Sequence, residues 1–117
     1  MDVKSYIKGE WIDRGESTNL ISAVTGEPVA QMLEADLDYK GACEYARQQG
    51  GPKLRSMSIH ERAFKIKFLA QYLLERKEDY YELSTHTGAT RQDSWIDIEG
   101  GIGSMFTLSS KSRIELS

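Results

Sequence analysis

The single cysteine of the chain, Cys43, is the side chain best suited to nucleophilic chemistry, because a thiolate readily attacks a carbonyl carbon. It stands between Ala42 and Glu44 in an alanine-rich stretch with helical spacing. No cationic residue adjoins it to favour the thiolate, and buried free cysteines usually behave as small apolar groups. The sequence therefore favours a packing role for Cys43.

Asp93 and Asp97 are a second candidate, since residues four apart lie on one face of a helix. Two carboxylates can perform general acid–base catalysis when they line a cleft that holds a substrate. The residues around this pair give no sign of such a cleft. We therefore expect aspartates that cap a helix or face solvent.

Three glycines, Gly100, Gly101 and Gly103, partly match the loop that binds dinucleotides. That loop needs a preceding strand, a further glycine and a following helix, but Met105 and Phe106 occupy the place of the further glycine. Within a helix each glycine costs about 1 kcal/mol relative to alanine. The cluster therefore predicts a helix that packs closely against another backbone or is kinked.

Neither histidine has a second His, Cys or carboxylate at the spacing of metal ligands. His60 should be exposed in the first turn of a helix, and His86 should meet carbonyl groups at a helix end. Trp11, Trp95 and the tyrosines are interpreted as core or interface packing.

The first third of the chain predicts short strands that pair as two hairpins. Tyr6-Ile7-Lys8 and Trp11-Ile12-Asp13 flank a Gly9-Glu10 turn. After the polar interruption 14–17, a strand over 19–22 and a returning strand over 29–33 flank a turn at 24–28 that contains Gly26 and Pro28. Two hairpins are too little for an independent core.

The remainder predicts three to four α-helices. Asp36 should cap the first, whose apolar face is Tyr39, Ala42, Cys43 and Ala46 and which should end at Gly50-Gly51-Pro52. Ser58 and Glu61 form a capping box for the second. Its apolar stripe is Ile59, Ala63, Ile66, Ala70 and Leu73, widened by Phe64, Leu69 and Leu74. A charged joint over 76–79, a short helix that stops near Gly88 and a last helix from Thr90 or Arg91 to about Ser109 follow.

The composition excludes several classes of protein. The chain has 117 residues, a net charge of −3 and no basic cluster, which disfavours nucleic acid and anionic membranes as partners. No long apolar run or signal-peptide core is present, and one cysteine cannot form an internal disulfide. We expect a cytoplasmic protein that is one domain or a piece of a larger one.

The order of several short motifs resembles the N-terminal region of aldehyde dehydrogenases along almost the whole chain. They are Thr25-Gly26-Glu27, the alanine-rich helix that reaches Arg47, and Glu61-Arg62-Ala63 followed by leucines. Thr87-Gly88-Ala89-Thr90 replaces the usual "Thr-Gly-Lys-Pro" of that family. Because of this departure, the chain is most similar to the bifunctional enzymes of phenylacetate degradation, in which a hydratase-like domain follows the dehydrogenase. Two further segments support this similarity, namely Gln49-Gly50-Gly51 and Asp97-Ile98-Glu99-Gly100-Gly101. The semialdehyde dehydrogenases of benzoyl-CoA degradation look similar but less close.

The resemblance implies an α/β fold in the full enzyme, of which residues 1–117 are an N-terminal fragment with strands in 1–35 and mainly helix in 36–117. It implies oxidation of an aldehyde, here a ring-opened CoA-thioester semialdehyde, to the acid through a thiohemiacetal, with NAD or NADP as acceptor. The family's catalytic and cofactor-binding residues have no matching positions here, so the fragment alone should be inactive and bind no cofactor. Asp97, with carbonyl groups near Ile21, is the position at which many such enzymes hold a monovalent cation, although a solvated or capping aspartate is the default.

Two alternatives stay open on the sequence. The chain could be a complete α+β interaction or oligomerisation module without catalysis, or a small domain that binds a CoA ester. As a dehydrogenase fragment, it should expose apolar helix faces, associate with the remainder of its parent enzyme and, in isolation, self-associate.

Overall fold

Two strands near the start of the chain form the first hairpin, β2 (Ser5–Ile7) with β3 (Glu10–Ile12), in which Tyr6 lies opposite Trp11. The turn between them consists of Lys8 and Gly9, both with positive φ (52° and 88°), as a tight hairpin turn requires. The predicted hairpin is confirmed, and its turn lies one residue earlier than expected. This computed structural model describes residues 2–114, and of residues 112–114 it describes the backbone only.

The second sheet has the order β1-β5-β4, with β1 (Asp2–Val3) parallel and β4 (Glu16–Ile21) antiparallel to β5 (Pro28–Glu34). The predicted second hairpin is thus confirmed, whereas β1 was not foreseen. The expected interruption over 14–17 is wrong in its second half, because Glu16 and Ser17 pair with Glu34 and Leu33. Cross-strand hydrogen bonds stabilise these polar residues in a strand despite their weak propensity.

The turn between β4 and β5 is organised by Ser22, whose side chain is buried. Its Oγ accepts hydrogen bonds from the backbone N–H groups of Val24 and Thr25 at 3.3 and 3.2 Å. Gly26 supplies the positive φ of 76° that closes the turn. The turn predicted over 24–28 is confirmed.

Helix α1 (Tyr39–Tyr45) continues through a π-turn (Ala46–Gly50) into α2 (Gly51–Arg55). Its N-cap is Asp38, whose Oδ1 accepts the N–H of Gly41 at 2.8 Å. The prediction of Asp36 as the cap is wrong, because Asp36 stays in the irregular segment before the helix.

The predicted helix end at Gly50-Gly51-Pro52 is also wrong. Gly51 has right-handed helical angles (φ −56°, ψ −52°), and its N–H bonds to the carbonyl of Ala46. Pro52 then stands in the first turn of α2, where the missing N–H of proline costs nothing. The described residues of α1 include no buried side chain, so the chain up to Leu54 does not bury the predicted apolar face of this helix.

Helix α3 (Ile59–Leu74) begins at the predicted capping box: Ser58 accepts the N–H of Glu61, and Glu61 accepts the N–H of Ser58 at 2.7 Å. Helix α4 (Lys77–Thr85) follows after only two residues, so the charged joint expected over 76–79 is mostly helical. The chain then turns at Gly88, which has a φ of 85°. The predicted stop near Gly88 is confirmed.

The last helix consists of α5 (Arg91–Trp95), a π-turn (Ile96–Gly100) and α6 (Gly101–Ile114), and it begins at a capping box of Thr90 and Asp93. Counting each π-turn with the helix that it joins, the described residues form four continuous helices. The resulting mixture of short strands and helices agrees with the predicted description of this fragment.

The chain divides into two compact units, one ending at Leu54 and the other starting at Arg55. In the second unit α3 packs against α6, and small side chains allow the close approach. Ala63, Ala70 and Ile102 are buried there. No helix of the described chain is long and apolar enough to cross a bilayer.

Candidate functional site

A cluster of polar side chains joins α4 to the last helix in the second unit. The carboxylate oxygen Oε1 of Glu99 accepts hydrogen bonds from the hydroxyl of Tyr81 at 2.8 Å and from the ammonium of Lys77 at 3.1 Å. Tyr81 is only 5% exposed, and the side chain of Glu99 is 24% exposed. These three residues form the best-defined polar arrangement that the two helices share, and we call them the Glu99 cluster.

Local sequence explains how the cluster is positioned. Lys77 and Tyr81 are four residues apart, so both side chains lie on one face of α4. Glu99 lies in the π-turn of the last helix, where one extra residue rotates the following side chains by about 100° relative to a regular α-helix. The π-turn therefore decides which residue of the last helix meets Lys77 and Tyr81.

A second set of contacts joins α4 to the last helix near the Glu99 cluster. The guanidinium of Arg91 bonds to both carboxylate oxygens of Glu78 at 3.1 Å and lies 4.2 Å from the centre of the Tyr81 ring. The hydroxyls of Ser84 and the buried Ser94 are 2.7 Å apart, so the backbones approach closely at this point. Together these contacts fix the start of the last helix against α4.

The electrostatics of the Glu99 cluster favour a positioning role over proton transfer. Burial raises the pKa of Tyr81 above its ordinary value of 10.0, and the neighbouring Glu99 carboxylate raises it further. The Tyr81 hydroxyl, followed by the Lys77 ammonium, lowers the pKa of Glu99 below its ordinary 4.5. Efficient general acids and bases need pKa values near the working pH, and both shifts lead away from neutrality.

The first unit has a comparable junction where the hairpin turn meets the start of α1. Lys8 forms an ion pair with Asp38 at 3.0 Å, while the other oxygen of Asp38 caps the helix. The Gly41 N–H, and after it the Lys8 ammonium, lower the pKa of Asp38. An open hollow of about 410 Å³ beside this junction includes Trp11, Arg14 and Asp36 in its lining.

The structure does not gather the sequence-predicted candidates into one site. Cys43 is exposed on α1, so the expected burial of its thiol is not found. Asp93 caps the last helix as expected, and Asp97 is exposed in the π-turn. Ile21 belongs to the first unit and Asp97 to the second. Among the described residues, no group of three or more His, Cys, Asp or Glu could hold a metal ion.

The glycines and histidines have plainer roles. Gly101 and Gly103 lie inside α6, and a methyl group added to either would meet no other element within 4 Å. The sequence offered two explanations for the glycine cluster, close packing against another backbone or a kinked helix. The structure shows an irregular helix that contains a π-turn, and it shows no close packing at Gly101 or Gly103. His60 is half-buried where exposure was expected, and the backbone N–H of His86 bonds to the carbonyl of Leu83 at 3.2 Å.

The expected packing of the two tryptophans in a core is also not found. Trp11 is 68% exposed, and Trp95 is exposed as well. An interface role remains compatible with their exposure. Among the tyrosines, Tyr81 is the one that the structure buries.

The sequence did not predict the Glu99 cluster, although Glu99 belongs to a segment that resembles a family motif. The segment Asp97-Ile98-Glu99-Gly100-Gly101 drew attention as a family resemblance, and its glutamate proves to be the acceptor for two donors on α4. The helical spacing of Lys77 and Tyr81 was a usable signal. The glycines at positions 100, 101 and 103 predicted an irregular helix, but they did not predict that a π-turn would bring Glu99 to these two residues.

Comparison with known proteins extends this description. No family model matches the chain. It is 34% identical over 115 residues to the 3,4-dehydroadipyl-CoA semialdehyde dehydrogenase of Aromatoleum evansii, an alignment that covers 97% of the chain and 22% of that enzyme. The chain therefore spans about one fifth of the length of this relative. The comparison supports the resemblance of this chain to one segment of an aldehyde dehydrogenase. The resemblance extends over nearly the entire chain.

Proposed function

We propose that the chain is the N-terminal part of an NAD(P)-dependent aldehyde dehydrogenase that oxidises a CoA-thioester semialdehyde to the corresponding acid. The observation that carries the proposal is the 34% identity across 97% of the chain to a segment of a dehydrogenase with a substrate of this class in its name. Similarity of this extent involves both units and not a single motif. The same observation does not favour a stand-alone interaction module.

In this proposal the chain serves as scaffold. The described residues do not fit a dinucleotide, because Gly100, Gly101 and Gly103 lie within a helical segment rather than in a turn between a strand and a helix. We therefore assign the cofactor, NAD or NADP, and the reacting groups to the rest of the parent enzyme. The Glu99 cluster holds two helices of the scaffold in register.

The finer proposal is a place in phenylacetate degradation, in a cytoplasmic enzyme. Gln49-Gly50-Gly51 and the segment 97–101 support it as family resemblances. Their structural settings are similar to each other, because both pairs of glycines stand at the junction between a π-turn and the next α-helical segment. The two relevant substrate types, a ring-opened semialdehyde of phenylacetate degradation and 3,4-dehydroadipyl-CoA semialdehyde, can be compared directly in an activity assay.

The test is a chimera in which this chain replaces the matching segment of the A. evansii enzyme. We expect the chimera to reduce NAD or NADP when it is given a CoA-thioester semialdehyde, as followed by the absorbance of the reduced nicotinamide. The isolated chain is the control and should reduce neither cofactor. Activity of the isolated chain, or an inactive or unfolded chimera beside an active parent enzyme, would contradict the proposal.

We also propose that the isolated chain self-associates, since apolar side chains on several helices are exposed. The partner in the intact enzyme would be the remainder of the same polypeptide. Light scattering distinguishes this from the stand-alone module. A monodisperse monomer that unfolds cooperatively and binds no hydrophobic dye would favour the module instead.

A further inference from the structure

Helix α3 carries apolar side chains on two different sides. Ala63 and Ala70, on one side, are buried in the crossing with α6. Phe64 and Phe68 project away from that side, at helical positions about 100–160° from the two alanines. Exposed apolar side chains on a second side of a helix, away from its packed side, indicate a surface that another element can cover.

The outer side of α3 exposes apolar surface between polar side chains. Phe68 is 75% exposed, the largest exposed fraction among the described large apolar side chains. It lines an open hollow of about 650 Å³ together with neighbouring side chains of the same helix, and we call this surface the outer α3 face. Its lining residues are Phe64, Lys65, Lys67, Phe68 and Gln71.

The charges of the outer α3 face define the chemistry of its partner. Lys65 and Lys67 flank the two phenylalanines on opposite edges of the face. Lys65 has Glu61 one turn away, but Glu61 is engaged in the capping box with Ser58. The described part of the chain gives Lys67 no ion pair. Carboxylates on an incoming segment would complement both ammonium groups.

We propose that the outer α3 face is the docking surface for a segment of the remaining dehydrogenase polypeptide that presents apolar side chains flanked by carboxylates. The inference rests on the proposed function, which supplies the polypeptide. The A. evansii relative has more than four times the length of the aligned segment, so an enzyme of that size offers ample chain to cover the face.

A second copy of the chain fits the face less well. Symmetric dimers bring the same surface patch of each copy together. A two-fold contact through Phe68 would therefore place Lys65 and Lys67 of one copy near the same lysines of the other. Like charges that face each other along the edges of the contact oppose association, so the charges favour a different, acidic occupant.

Thiol labelling tests the proposal independently of catalysis. In a Cys43→Ser background, Phe68→Cys is introduced into the isolated chain and into the chimera with the A. evansii enzyme. A maleimide reacts with the proteins, and peptide mass spectrometry quantifies the label at position 68. Glu27→Cys, in the exposed turn of the first unit, is the matched control.

We expect the thiol introduced by Phe68→Cys to react at least about tenfold more slowly in the chimera than in the isolated chain, because docking excludes the reagent. The control thiol at position 27 should react alike in both proteins. As a second measurement, Lys67→Glu should lower the thermal unfolding midpoint of the chimera but not that of the isolated chain, because no charged residue lies one turn from position 67 on α3. Lys40→Glu on α1 is the corresponding charge control.

The outcomes separate this inference from the proposed function. An active chimera whose thiol at position 68 is as reactive as in the isolated chain, with no effect of charge reversal, would overturn the docking surface alone. Protection of this thiol in the isolated chain that disappears on dilution would identify a second copy as the occupant and also overturn the inference. An unfolded or inactive chimera would contradict the proposed function, and the inference would fall with it.

Discussion

Glu99 shows how one side chain can connect two helices without taking part in chemistry. It accepts two hydrogen bonds from α4 through a single oxygen, and both donors keep it ionised at neutral pH. Burial, and after it the same contact with Glu99, raises the pKa of Tyr81 and keeps its hydroxyl neutral. The pair therefore acts as a fixed donor and acceptor over the whole physiological range of pH.

This arrangement predicts how stability depends on acid. A carboxylate whose pKa is lower in the folded state than in the unfolded state stabilises the fold above its ordinary pKa, and the benefit is lost as the pH falls through the folded value. For Glu99 the loss should begin near its ordinary pKa of 4.5 and continue below it. Glu99→Gln should therefore lower the free energy of unfolding at pH 7 and flatten its fall in acid.

Urea unfolding at a series of pH values from neutral to acid measures this effect. Glu82→Gln is the matched control, because it removes a carboxylate from the same crossing while Glu99 keeps Lys77 and Tyr81. Asp38 and Glu61 also have lowered pKa values and leave an acid-sensitive remainder in every variant. Parallel curves for the wild type and Glu99→Gln would show that the cluster contributes no stability.

The two π-turns are the features of secondary structure that most affect the arrangement of side chains. Each joins two α-helical segments, at Ala46–Gly50 and Ile96–Gly100, and each is followed by a glycine with right-handed helical angles. In the last helix the irregularity decides which face meets α4. Glycine at such a position weakens the helix because the unfolded chain has more conformations to lose.

Gly101→Ala tests whether the glycine after the second π-turn has only this effect. Its φ of −61° suits alanine, and an added methyl group meets no other element within 4 Å. We expect the free energy of unfolding to rise by about 0.4–1 kcal/mol in chemical denaturation. Gly88→Ala is the opposite control, since its φ of 85° is strained for alanine and stability should fall. A large loss with Gly101→Ala would mean that another backbone approaches there in solution.

For the chain as a whole, the exposed apolar surface matters more than any single polar site. Apolar side chains on α3, α5 and α6 are exposed, whereas few side chains of the second unit's described residues are buried in a core, chiefly two alanines, Ile102 and Tyr81. A protein that functions alone would rarely leave so much apolar surface uncovered. The surface agrees with the proposal that further polypeptide covers this scaffold.

The isolated chain should bind a hydrophobic dye under native conditions, and Phe68→Ser should reduce the fluorescence enhancement. The reason is that Phe68 is the most exposed of the described large apolar side chains and lines a hollow large enough for a dye. Gln71→Ser alters the same hollow without removing apolar surface and should leave the signal unchanged. Equal dye binding by all three proteins would show that the dye binds elsewhere and that Phe68 does not provide its binding surface.

The sequence by itself determined the features that depend on neighbouring residues. The turn at Gly26, the capping box of Ser58 and Glu61 and the stop at Gly88 were all predictable, because each is a local hydrogen-bond pattern or a backbone conformation that favours glycine. The order of motifs along the chain also pointed to aldehyde dehydrogenases. Local backbone conformations and the order of motifs can therefore be predicted from the residue types alone.

Tertiary structure alone decided the rest. Glu16 and Ser17 are in a strand because β5 lies beside them, although polar residues of this kind have a weak propensity for strands. Glu99 meets Lys77 and Tyr81 because a second π-turn rotates it toward α4. Such outcomes depend on partners distant in the sequence, and their packing and hydrogen bonds outweigh local propensities of less than about 1 kcal/mol per residue.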